Sequence, residues 1–537
     1  MYWRRIDNHS YNCRILRPRL TPILLSLILA LPILGIFAGL LSPQSTSGDV
    51  LSHLINTILP GYAGTTLILA IGVAVGVASM GIITAWLVAT CDFPGKRVYE
   101  WALILPLAMP TYVMAYAYTD FFQFSGPIQS FLREALGVSR LDWFPDPRSV
   151  WGAICVLSLA LYPYVYLLCR TAFLERSPRL LDAARTLGAG PWSAFWQVAL
   201  PMARPATMAG VALALMEAVA DYGAVSYFGV QTMTTGIYRA WLGMGDRIAA
   251  VQLSAALLGV IFLLLMLEHA SRRQMRFAST GQRFRQIMPW RLSGRKAFWA
   301  SLACALPLFF GFILPVIIMA HLAFSSQETL NARYWSWLTN TLTLSTVTAI
   351  IAVIIAVWLA YSARIAKGGL QLFANRMVSL GYAVPGAVLA VGILILLAQL
   401  DIAWLLSGSF LILIYAYLTR FLSSGLQTVE AGLSKITPSM DASAMSLGSG
   451  KLELLTKIHL PLLRRSLLTA GLLVFVDVMK ELPATLVLRP FNFDTLAVIT
   501  FQLASDERLA EAAWPALTIV LAGLIPVVIL SRAMSKD

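Results

Sequence analysis

Residues 177–201 read SPRLLDAARTLGAGPWSAFWQVALP, and residues 437–461 read TPSMDASAMSLGSGKLELLTKIHLP. The two stretches align at a constant offset of 260 residues, with Ser177-Pro178 on Thr437-Pro438, Leu187-Gly188 on Leu447-Gly448, and Val198-x-Leu200-Pro201 on Ile458-x-Leu460-Pro461. The register persists downstream: Glu217 falls on Asp477, Asp221 on Glu481, Ala224 on Ala484, Thr235 on Thr495 and Asp246 on Asp506. Caps, glycines, prolines and acids that agree over about seventy residues mark an internal duplication.

Each copy has the grammar of two short helices. Ser177 suits an N-cap and Pro178 the first helical position. The run from Asp182 to Leu187 reads as helix, and Gly188 can close it in a left-handed cap. Pro191 restarts a helix through Trp192, Phe195 and Trp196, and Pro201 is expected to stop it. The second copy repeats the pattern with Thr437, Pro438, Gly448, Gly450 and Pro461. Small residues at 183 and 184, and at 443 and 444, permit close helix approach. A helix–Gly–helix element that occurs once per repeat reads as a docking surface.

Around these loops the chain is apolar. Of 537 residues 58% are hydrophobic and only 12% charged, against about 25% charged in soluble domains. That excludes a water-soluble domain, a disordered chain, a fibre and a disulfide scaffold. The five cysteines form no C-x-x-C pair and the five histidines lack helical ligand spacing, so no fixed metal site is expected. Apolar runs of membrane-spanning length fall at 22–42, 63–90, 100–120, 151–171, 206–228, 249–267, 297–323, 340–363, 376–399, 408–426, 466–488 and 513–531. The expected fold is therefore an all-α integral membrane protein of about twelve spans.

The net charge of +14 reads as topology rather than nucleic-acid binding. With the N-terminus inside, 29 of the 40 Lys and Arg fall in inside segments, including Arg272, Arg273, Arg276, Arg283, Arg285, Arg291, Arg295 and Lys296 of a central loop. Outside segments hold eight: Arg133, Arg140, Arg148, Arg239, Arg247, Arg333, Arg489 and Arg508. Both termini are expected in the cytoplasm. The duplication then divides the chain into residues 1–267 and 297–537, six spans each and joined by a basic linker at 268–296. An even number of spans per half makes the two repeats parallel.

The pattern Glu/Asp-Ala-Ala-x3-Gly-x9-Ile/Val-x-Leu-Pro resembles the EAA loop of ABC importer permeases of the type I fold. The first copy fits at Asp182, Ala183, Ala184, Gly188, Val198, Leu200 and Pro201. The second fits at Ala444, Gly448, Ile458, Leu460 and Pro461, and departs at the acid: Ala442 stands there, Asp441 comes one residue early, and Ser443 replaces the first-copy alanine. The resemblance implies that each loop docks in a groove of a separate ATPase subunit, two copies in all. It also implies that an external binding protein delivers the substrate. No Walker A pattern is present. Gly450-Lys451 comes nearest, with Met445 and Leu452 in place of the required Gly and Ser/Thr. This chain is thus expected to be non-catalytic and to bind no cofactor, with ATP and Mg on the partner.

The segments Met216 to Gly229 and Asp477 to Thr485 are similar to those of fused, two-half permeases of ferric iron importers. Relatives on a similar scaffold move thiamine, phosphonates or other small solutes. A secondary transporter, the alternative of another class, would need a driving-ion site and no duplicated docking loop. Glu217, Asp221, Asp477, Lys480 and Glu481 lie in or near the fifth and eleventh spans, where ionisable groups face a cavity or a partner. Spaced four apart, 217 with 221 and 477 with 481 would share a helix face. Two readings stand: the acids line a cation path, suited to a hard ferric ion, or Lys480 pairs with a carboxylate and the others stabilise the helices. Pro106, Pro110, Pro163 and Pro385 are expected to kink spans, Gly392 to be a packing site, and His459 a contact residue.

Overall fold

Lipid leaves the backbone no partner but itself, so a chain this apolar folds as helices. A computed structural model describes residues 11–40, 59–176, 178–276, 289–325, 331–366, 369–399 and 409–534. Among the described residues nine helices are long and apolar enough to cross a membrane, or eleven when each of two sharply bent pairs counts as one span. The reading of twelve differs at residues 466–488, where the helix Leu460–Met479 carries Arg464, Arg465 and Asp477 and is not among them.

Both bends fall at the anticipated prolines. Lys96–Ala108 meets Thr111–Leu136 at 93°, across Met109-Pro110, and Gly369–Ala383 meets Gly386–Gln399 at 114°, across Val384-Pro385. Met109 (ψ 119°) and Val384 (ψ 123°) are extended, as a residue before proline is driven to be. Pro163, by contrast, sits inside the continuous helix Val150–Arg176.

Contacts divide the chain into two compact units, each made of two segments: residues 1–39 with 338–494, and residues 40–337 with 495–537. These do not follow the repeat boundaries at 267 and 297. Duplication is a relation of sequence, whereas a compact unit records which helices pack. Of the basic linker, residues 268–276 continue the helix Arg247–Arg276, and residues 277–288 lie outside the described residues. Trp290-Arg291 then pairs in parallel with Cys91-Asp92.

In the larger unit, Leu59–Thr90 packs along Val150–Arg176 through a row of small residues. A Cβ on Gly81 would come within 2.6 Å of Val165 Cβ, and one on Gly72 within 2.5 Å of Ile154 Cδ1. Such rows let helices approach without bulk between them, which drives association where lipid offers no hydrophobic contrast. In the smaller unit Phe410–Ser434 packs against Leu460–Met479. The expected packing site Gly392 meets the Pro32 carbonyl, while Gly35 opposes the Gly392 carbonyl, so Tyr11–Leu40 and Gly386–Gln399 cross on paired glycines.

Candidate functional site

The duplicated loops fold alike. Pro178–Thr186 and Pro438–Ser446 are each nine-residue helices. Each ends in the same turn, with Gly188 at φ +82° and Gly448 at φ +91°. The amide of Ala189 donates to the Ala184 carbonyl at 2.9 Å, and that of Ser449 to the Ala444 carbonyl at 3.1 Å. This six-to-one bond defines a Schellman cap. Ala184 and Ala444 are buried, Ala183 is exposed, and Asp182 is half-buried. Ser177, the expected first cap, lies outside the described residues.

Beyond the glycine the chain restarts as Pro191–Ala194 and as Lys451–Glu453, passes through a wide turn of π type (Phe195–Ala199 and Leu454–His459), and enters the long helices Leu200–Ala220 and Leu460–Met479. Pro201 and Pro461 therefore do not stop the second helix. The wide turn before each relieves the clash that a proline ring makes with the carbonyl one turn back. Leu200 and Leu460 begin the continuing helices, and Pro461 is exposed.

At the tip of each cap stands a leucine with no cover: Leu187 and Leu447 are each 87% exposed. Trp192 and Trp196 flank the first, and Met445 and Leu452 the second, all exposed. Aligned apolar side chains turned out of both copies are the mark of a surface that another protein covers.

The anchors beneath the tips differ. Under the first loop, the Phe195 ring lies 5.3 Å from that of Trp86, which also packs edge-on against Phe173 at 5.5 Å. Under the second, Asp441 accepts from Arg364 Nε at 2.7 Å and faces His459 Nε2 at 2.8 Å. Burial pushes the Asp441 carboxyl up, but hydrogen bonds and charge from Arg364 and His459 outweigh it and hold the pKa below the ordinary aspartate value. His459 is fully buried.

The candidate path residues lie where the two long helices break. Leu200–Ala220 ends at Asp221 (ψ 134°), and a short helix resumes at Gly223–Tyr227. Leu460–Met479 ends at Lys480, and Pro483–Leu488 resumes. Asp221 and Glu481 thus stand just beyond the helices that carry Glu217 and Asp477, so neither pair shares a continuous helix face. Each instead caps the short helix beyond the break. Asp221 Oδ1 accepts from the amides of Ala224 and Val225 at 2.9 and 3.3 Å, and Glu481 from those of Ala484 and Thr485 at 2.9 and 3.1 Å.

Their remaining oxygens meet different partners. Thr111, next to the Pro110 bend, donates to Asp221 Oδ2 at 2.5 Å. Glu481, 4% exposed, takes Arg420 Nη1 at 3.1 Å and the Thr485 hydroxyl at 2.6 Å. Gly386, next to the Pro385 bend, stands where a Cβ would lie 2.7 Å from Glu481 Oε1 and 2.9 Å from Arg420 Nη1. A threonine there would exclude the guanidinium. Asp477 pairs with Lys480 at 3.0 Å. Glu217 has no hydrogen bond or ion pair among the described residues. Arg420, Arg364 and Thr111 did not figure among the sequence candidates, although an arginine within the tenth span demands an acid partner.

Among the described residues no group of three or more His, Cys, Asp or Glu could hold a metal ion. The long apolar helices, the two bent spans and the paired loops are those of a solute-translocating membrane subunit. Residues 79–277 match the binding-protein-dependent transport system inner membrane component family, and the chain is a multi-pass membrane protein similar to ABC importer permeases. That similarity favours this class over a secondary transporter.

Two relatives match over most of the chain and a third over a shorter stretch. An Fe(3+)-transport system permease protein of Haemophilus influenzae is 27% identical over 486 residues, 88% of this chain and 89% of that one. A ferric transport system permease protein of Actinobacillus pleuropneumoniae is 24% identical over 428 residues, 76% of this chain and 60% of the relative. The molybdenum transport system permease protein of Escherichia coli K12 is 32% identical over 150 residues, 28% of this chain and 62% of that one.

Proposed function

We propose that this chain carries ferric iron inward across a bacterial inner membrane as the fused, two-half permease of an ABC importer, with both termini in the cytoplasm. An external binding protein delivers the cation. Two copies of a separate ATPase subunit, which bind ATP and Mg, grip the two loops through Asp182, Ala183, Ala184, Gly188, Leu200 and Pro201 and through Asp441, Ala444, Gly448, Leu460 and Pro461. Closure of the ATPase pair moves both loops together and turns the halves, 1–267 and 297–537, from inward- to outward-facing; hydrolysis resets them. The observation that carries this reading is the pair of identical caps with leucines equally bare at both tips.

Two facts favour iron. Relatives that share most of the chain's length are named for ferric transport. And the break in the first repeat is net acidic: Asp221 has a neutral donor in Thr111 and Glu217 has no cation among the described residues, whereas Lys480 and Arg420 neutralise Asp477 and Glu481. A cation in passage finds its oxygen ligands at Glu217 and Asp221. The test is uptake of radiolabelled iron by vesicles that contain the chain, its ATPase and its binding protein, alongside molybdate. Iron uptake that depends on ATP and falls in Glu217→Gln is expected; uptake of molybdate alone would overturn the assignment.

A further inference from the structure

One face of the helix Thr111–Phe122 carries a line of oxygen atoms that leads to Asp221. Tyr112, Tyr116 and Asp120 stand four residues apart on it, at steps of about 6 Å. At the start of the helix Thr111 donates to Asp221. At its far end Asp120 lines a cavity of about 380 Å³ together with Arg148, Tyr227, Glu507, Arg508 and Glu511. Val150–Arg176 begins two residues beyond Arg148 and leads into the first loop at its other end, so the cavity lies at the membrane face away from that loop.

The charges of the cavity are unequally matched. Arg148 pairs with Glu507 at 3.4 Å and covers the Tyr227 ring at 5.5 Å. Arg508 is held by Glu511 through two hydrogen bonds. Those four charges cancel. Asp120, half-buried, has no hydrogen bond or ion pair among the described residues, and the exposed His321 acts on it through space. The cavity therefore carries a net negative charge, and it rests on Asp120. One turn further in, Tyr116 is 1% exposed and its ring packs edge-on against Tyr227 at 6.2 Å. Its Oη has no hydrogen-bond partner among the described residues. A buried hydroxyl without a partner is costly, and such a group is retained where a ligand supplies the missing contact.

We propose that Asp120 is the entry ligand of the cation path. A hard trivalent cation released into the cavity is drawn to its carboxylate, passes the Tyr116 hydroxyl, and reaches Asp221 and Glu217 where the long helix breaks. Carboxylate and phenol are both oxygen donors, which such an ion prefers. The donors are strung singly along the helix rather than gathered, so none holds the ion for long, as passage requires. The proposal rests on the iron reading above.

The test uses the full chain in lipid vesicles with its ATPase and binding protein. Radiolabelled ferric iron is the probe, and uptake and ATP hydrolysis are measured together. In Asp120→Asn, hydrolysis stimulated by the loaded binding protein should persist while uptake per ATP falls by about tenfold. Asp120→Glu, which keeps the charge, should restore most of it. Tyr116→Phe keeps the ring and its packing and should lower the ratio by about threefold. Asp142→Asn, the same change of charge at an exposed position outside the cavity, should stay within about twofold. A ratio within about twofold of the parent in Asp120→Asn overturns the proposal. So does equal loss in Asp120→Asn and Asp120→Glu with stimulation gone, the sign of a disturbed outer face. If Asp120→Asn does not fold, Tyr116→Phe decides, and an unchanged ratio there overturns the proposal. A parent chain that takes up no iron removes the iron reading and the entry site with it, whereas iron uptake in the parent beside a normal ratio in Asp120→Asn removes the entry site alone.

Discussion

Replacing Gly448 with alanine isolates the backbone of the second cap from its surroundings. An added Cβ at Gly448 meets no atom within 4 Å, so no clash arises. What remains is φ +91°, where an L-residue costs about 1–2 kcal/mol over a right-handed conformation. If the loop relieves that strain by unwinding its cap, the docking-competent form becomes rarer by roughly fivefold to thirtyfold, at 1.4 kcal/mol per factor of ten. Gly450 is the control, since its added Cβ also meets nothing but its φ is −73°. Binding of purified ATPase to the detergent-solubilised chain, read by surface capture or calorimetry, should weaken by that factor in Gly448→Ala and stay within about twofold in Gly450→Ala. Gly448→Trp should weaken it further, because its ring would occupy the space beside the Leu447 tip. Equal affinities for Gly448→Ala and Gly450→Ala would refute the claim that the left-handed cap shapes the docking surface.

Other outcomes rest on the same geometry. Glu481→Ala removes the buried carboxylate that Arg420 pairs with and should cost about 3–5 kcal/mol, whereas Asp221→Ala removes an acceptor of neutral donors and should cost about 1–3 kcal/mol; thermal melting of both in one detergent ranks them, and the reverse order would contradict the assigned partners. Gly386→Ala drives a methyl into the Glu481–Arg420 pair and should cost about 1–3 kcal/mol by overpacking, again read by melting. Because Asp441 has its pKa lowered in the folded chain, its contribution to stability is present above the unfolded value of about 3.9 and is lost as pH falls through the folded one. Acid should therefore loosen residues 438–446 relative to neutral pH. Hydrogen exchange corrected for its intrinsic pH dependence would show this, and Asp441→Asn should abolish the difference.

The order of spans and the two loops were legible because each rests on local signals. Twenty apolar residues have few fates other than a membrane helix, and Ser/Thr-Pro ahead of a Leu-Gly has a strong preference for a capped helix. The limits of that legibility are equally local. Pro201 and Pro461 read as stops, yet the helices pass through them, because a wide turn one step earlier admits the ring and no sequence period announces such a turn. The spans at 206–228 and 466–488 read as continuous, since the long apolar stretches on either side outweigh the few charged residues at each break. The shared face inferred for the acids failed with that continuity.

Partners were the part no pattern could supply. Asp221 and Thr111 are 110 residues apart, and Glu481 and Arg420 are 61 apart. Which carboxylate meets a hydroxyl and which an arginine turns on whether a threonine or a glycine follows the bend proline in a different span. The offset of 260 residues declared the two repeats equivalent, and composition together with the charge bias declared them membrane-bound. Packing made them unequal: apolar contacts, hydrogen bonds and ion pairs act over a few ångströms of space, and only the folded chain brings Arg364 to Asp441, Arg420 to Glu481 and Thr111 to Asp221.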